Sequence, residues 1–132
     1  MKRFVYYQPN DNDLKDKAGD CQIRALSKAL NKTWLETYDQ VHEICRKYRR
    51  TLPFSGDLDT RKKMPDEFGF DYHGVSNKRG KKRPTVAGFA KEHPAGTFVL
   101  FVANHVVACV DGQYFDTWDC GECSMYGYYE KR

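Results

Sequence analysis

No stretch of the 132 residues is long and apolar enough to span a bilayer, and the basic opening Met1-Lys2-Arg3 is not followed by a signal-peptide core. Membrane contact and a secretory leader are therefore not expected, and the expected location is the cytoplasm. Internal repeats and low-complexity tracts are missing too, which excludes solenoid and disordered classes. Charge of one sign is scarce: 22 Lys and Arg oppose 18 Asp and Glu, so the net +4 permits an acidic partner without requiring one. Five cysteines cannot all pair, and in a reducing compartment they are expected as free thiols. With 40% hydrophobic and 14% aromatic residues, the chain is rich enough in apolar side chains for one folded domain over 1–132.

The stretch "KAGDCQIRALSKAL" (17–30) reads as the start of an amphipathic helix. Asp20 suits the N-cap, Ile23, Leu26 and Leu30 recur at helical spacing, and Arg24 and Lys28 turn outward. Cys21 then stands at the positive end of a helix, where a thiolate is stabilised. The neighbouring Asp20 carboxylate works against this, so any activation of the thiol has to come from a base elsewhere in the chain.

Before this helix, "FVYY" (4–7) has the character of an edge strand. After it, Thr33 and Glu36 make a capping box for a second helix, whose apolar face carries Trp34, Tyr38, Val41, Cys45 and Tyr48. Its basic end, Arg46 to Arg50, complements the helix dipole. Residues 51–84 carry little periodicity, apart from a short helix within "MPDEFGFDY" and the basic loop "NKRGKKRP" (77–84). Thr85 caps a further short helix that stops at Pro94 and Gly96.

The last third changes period. "TFVLFVA" (97–103), "HVVACV" (105–110) and "QYFDTW" (113–118) are β-branched and aromatic runs, and "SMYGYYEK" adds a final strand. Asp111-Gly112 is a two-residue hairpin turn. Counting back from it pairs Val110 with Gln113, Cys109 with Tyr114, Ala108 with Phe115 and Val107 with Asp116. His105 and Asp116 then become diagonal neighbours on one face, shared with Trp118, while Asp119 falls on the other. Helices followed by strands give an α+β fold, with the Cys21 helix packed on a C-terminal antiparallel sheet. A histidine held by a carboxylate beside a cysteine at a helix start has the parts of a nucleophilic thiol site.

The order of Cys, His on a strand and Asp on the next strand resembles the papain-like cysteine peptidases. More narrowly, "GDCQIRALSKAL", "RPTVAGFAKEHPAGT" and "NHVVACVDGQYFDTWD" resemble a family of small papain-like proteins of bacteria and their phages, over nearly the whole chain. The resemblance implies Cys21 as nucleophile, His105 as base and Asp116 as orienting acid. It implies a thiol-dependent peptidase or isopeptidase acting through an acyl-enzyme on a peptide or protein. The alternatives are deamidation or acyl transfer by the same triad, or a non-catalytic phage or bacterial interaction protein with this fold. Two features depart from the pattern. The Cys-Gly-Ser-Cys-Trp wording of the large papain enzymes is absent, and Lys15 stands where many relatives of papain keep an oxyanion glutamine. Gln8 and Asn12 are the substitutes for that donor, joined by the backbone N–H of Cys21.

Neither cofactor nor metal is expected. Cys120 and Cys123 form a lone C-x-x-C, and His42, His73 and His93 do not extend it at ligand-like spacing. Cys45 and Cys109 read as core residues. The basic loop, with Lys78, Arg79, Lys81, Lys82 and Arg83, lacks the interleaved aromatics that stack bases, so nucleic acid is not the expected partner.

Overall fold

A computed structural model describes residues 2–13, 15, 20–48, 64–75 and 82–132. Lys78, Arg79 and Lys81 of the basic loop lie outside these residues, as do Arg49 and Arg50. Strands β1 (Phe4–Tyr6), β2 (Phe70–Gly74), β3 (Thr97–Val102), β4 (His105–Val110), β5 (Gln113–Asp116) and β6 (Gly127–Lys131) form one sheet in the order β1-β5-β4-β3-β6-β2. Helices α1 (Cys21–Leu30), α2 (Trp34–Lys47) and α3 (Val86–Glu92) cover it, and residues 64–67 add a helical turn.

The chain is thus α+β, with the Cys21 helix on the sheet as expected, but the sheet is mixed rather than antiparallel. β1 runs parallel to β5, pairing Phe4 with Tyr114 and Tyr6 with Asp116. Its partner lies across the whole domain, so no turn joins the two strands and nothing local in "FVYY" fixes their relative direction.

Helices on both faces explain why β3 and β4 read as continuous apolar runs. Ile23 and Leu26 of α1 and Val41 and Cys45 of α2 pack with Val99, Phe101, Val106 and Ala108 on one side. Val86, Phe89 and Ala90 of α3 meet Leu100, Val107, Cys109 and Tyr114 on the other. Full burial of each large side chain in these layers is worth about 1.5–3 kcal/mol.

Local chemistry sets the element ends. The Thr33 hydroxyl accepts from the Glu36 N–H, and the Glu36 carboxylate accepts from the Thr33 N–H, so the capping box is complete. Tyr48, by contrast, is exposed at the C-cap of α2 rather than packed along its apolar face. Thr85 caps α3 through the Gly88 N–H. Asp111 and Gly112 both take positive φ, 49° and 80°, the type I′ geometry whose twist suits a hairpin. The resulting register joins Val110 to Gln113, Cys109 to Tyr114 and Ala108 to Phe115, as counted from the turn. β5 ends at Asp116, two residues before the end of the apolar run, and the chain bends at Thr117 and Trp118.

Candidate functional site

The fold brings the start of α1, the start of β4 and the end of β5 together. These ends carry Cys21, His105 and Asp116. His105 Nε2 is hydrogen-bonded to Asp116 Oδ2, which leaves Nδ1 as the ring nitrogen that meets the Cys21 thiol. The Val106 N–H also bonds the sulfur. One face of the imidazole lies 5.1 Å, centroid to centroid, from the indole of Trp118, which is 47% exposed.

These contacts set the ionisation of the three groups. Burial alone would raise the Cys21 pKa. The His105 hydrogen bond and charge outweigh it, helped by the Val106 N–H and the Arg24 guanidinium, and the thiol falls below its ordinary range. Burial would lower His105, but its bonds to Asp116 and Cys21 push it up to about 9. Asp116, despite burial, is held below the usual carboxylate range by His105, the Thr117 N–H and Arg24. The two shifts run in opposite senses, and both favour an anionic sulfur beside an imidazolium. The other perturbed thiols move the opposite way: burial raises Cys45, Cys109 (to about 12) and Cys120, the last also opposed by Asp116.

Asp20 does not cap α1. Its buried side chain makes no bond to the helix N–H groups; it accepts instead from Asn10 Nδ2 at 3.2 Å, Trp34 Nε1 at 2.7 Å and Arg24 Nη1. Arg24 likewise does not turn to solvent. Its side chain is 12% exposed, and Nη2 reaches Asp116 Oδ1 at 3.4 Å. The charge expected to oppose the thiolate is thus matched by Arg24 and ringed by donors. The i, i+4 spacing of Asp20 and Arg24 was the sequence sign of this pair; that Arg24 also reaches Asp116 had none.

The N-terminal segment approaches the site through Asn10. Gln8 Oε1 accepts from the Asn10 N–H at 3.2 Å, and the Asn12 N–H donates to Asn10 Oδ1 at 3.0 Å. With the Asn10 bond to Asp20, these bonds hold the segment at the head of α1.

Asp119 sits apart from His105. It accepts from the Tyr114 hydroxyl at 2.5 Å and the Gly121 N–H at 3.0 Å. Cys120, placed in the sequence with Cys123 alone, turns inward and donates to Asp116 Oδ2 at 3.4 Å. All five cysteines are free thiols. Among the described residues no helix is long and apolar enough to cross a membrane.

No protein-family profile, curated protein or solved structure matches this chain.

Proposed function

We propose that the protein is a thiol-dependent hydrolase of peptide or isopeptide bonds, with the papain-like order of nucleophile helix, base strand and acid strand, acting in the cytoplasm. The observation that supports this reading most is the double engagement of His105, by Cys21 at one ring nitrogen and Asp116 at the other.

In this mechanism the Cys21 thiolate attacks the carbonyl carbon, and the carbonyl electron pair moves to oxygen. The backbone N–H of Cys21, at the first turn of α1, stabilises that oxyanion. The intermediate collapses with cleavage of the C–N bond, and the imidazolium gives its proton to the departing amine. Neutral His105 next takes a proton from water, whose oxygen attacks the thioester. Release of the carboxylic acid restores thiolate and imidazolium. Asp116 keeps the ring in the tautomer and orientation that both proton transfers use. Ammonia as the leaving group makes the same steps a deamidation, and an amine in place of water makes them acyl transfer.

An electrophilic peptide probe tests the reading directly. Covalent modification mapped by mass spectrometry should fall on Cys21 and should drop in His105→Ala. Modification spread over the exposed thiols, or unchanged in that variant, would remove the basis of the proposal.

A further inference from the structure

Thiol chemistry at Cys21 has no use for Cys120, yet Cys120 is built into the site. It is 1% exposed, and its sulfur shares Asp116 Oδ2 with His105 Nε2. An imidazole nitrogen, a carboxylate oxygen and a sulfur thus lie within 4.8 Å of one another. We propose that His105, Asp116 and Cys120 form a site for zinc, or a divalent cation of similar ligand preference. The proposal rests on the ligand cluster and not on the function proposed above.

The donor set suits such an ion. Tetrahedral zinc, bonded to N, O and S at about 2.0–2.3 Å, keeps its ligand atoms roughly 3.3–3.7 Å apart. Cys120 Sγ and Asp116 Oδ2, at 3.4 Å, already have that spacing. His105 Nε2 and Asp116 Oδ2 are closer and have to part slightly. The imidazole heads its strand beside the exposed Trp118.

Charge and outer contacts point the same way. A thiolate and a carboxylate balance a dication. The nearby Arg24 guanidinium does not upset the balance, because Asp20 already pairs with it. The Thr117 N–H at 2.7 Å and Arg24 hold Asp116 Oδ1, so Oδ2 is the oxygen left for the ion, as outer partners commonly orient a ligating carboxylate. The loop at Cys120 is fixed by the Cys123 N–H donating to the Cys120 carbonyl at 3.0 Å.

Starting from imidazolium and thiol, binding releases two protons: the thiol proton of Cys120, and the one on His105 Nε2 that faces Asp116. The Nε2 lone pair and the thiolate pair then go to the metal. Nδ1 keeps its proton, so a filled site leaves the ring neutral and held by the metal.

Cobalt(II) serves as the probe, because a thiolate ligand gives it a sulfur-to-metal charge-transfer absorption. The chelator-washed full chain should bind one equivalent with that absorption, and zinc should displace it. Cys21→Ser should keep the band; Cys120→Ser should lose it. No stoichiometric band, or a band lost in Cys21→Ser and kept in Cys120→Ser, would overturn the site. The Cys21→Ser arm and the wild-type measurements need no folded Cys120 variant. A Cys21 no more reactive than Cys123 in metal-free protein would refute the proposed function while leaving the cobalt result to stand.

Discussion

Arg24 Nη2 lies 3.4 Å from Asp116 Oδ1, although 92 residues separate the two in the chain. The same guanidinium holds Asp20 at the head of α1. One side chain therefore ties the element that carries the thiol to the strand that carries the acid. Replacing it with Met keeps most of the volume and removes both bonds, leaving buried Asp20 without its cation and Asp116 with His105 alone. Loss of one partner from a buried pair is expected to lower unfolding free energy by about 3 kcal/mol, read from denaturant melts. Cys21 alkylation should slow as well. A variant as stable and as reactive as the wild type would show that the tie is idle.

The two acids of "FDTWD" should separate cleanly. Asp116→Ala removes the partner of His105 and should reduce probe labelling of Cys21 about ten- to a hundred-fold, or about 1–3 kcal/mol of transition-state stabilisation. Asp119→Ala costs only the bonds to Tyr114 and Gly121, so labelling should hold while stability falls modestly. The reverse pattern would mean that Asp119 is the functional acid.

The pH profile of alkylation follows from opposite shifts in one pair. Cys21 is lowered, so its thiolate should persist below the ordinary thiol range and be lost as pH falls through the lowered value. His105 is raised from 6.5 to about 9, so its stabilising charge is fully present below about 6.5 and disappears as pH rises through 9. The rate of reaction with iodoacetamide should accordingly rise early and level off before the ordinary thiol range. In His105→Ala the rise should move upward, because burial alone raises the thiol. Coincident profiles for the two proteins would contradict the ion pair.

Gly112 offers a structural control. Its φ is +80°, and an added Cβ would meet Pro94 Cα at 3.3 Å and the Ala90 carbonyl at 3.4 Å. Gly112→Ala should therefore destabilise the domain by about 1 kcal/mol or more, visible as a lower melting midpoint. A neutral result would mean that the hairpin tolerates another turn.

What the sequence made legible was mostly local. The Thr33 and Glu36 box, the Thr85 cap and the Asp111-Gly112 turn each act within four residues, and the hairpin register follows by counting. β2 was missed because "FDYHG" is short: Phe70 and Tyr72 alternate with Asp71 and His73 for only four residues, and only Phe70 is buried. The parallel placement of β1 and the reach of Arg24 to Asp116 depend on distant partners, and Cys120 lies past the end of β5, where no strand period says which way its side chain turns. Asp20 misled for a related reason: a carboxylate before a helix usually caps it, but Asn10, Trp34 and Arg24 offer this one better donors.

The pairing of β1 with β5 also bears on the order of events at the ribosome. Phe4 to Tyr6 are made long before Tyr114 to Asp116, the residues they dock on. Cys21 likewise emerges long before His105. A nascent chain therefore carries its thiol without His105 beside it, and that thiol behaves as an ordinary one until β4 and β5 are made. Contacts this long in sequence are slow to form. The delay keeps the sulfur quiet until those two strands have left the ribosome.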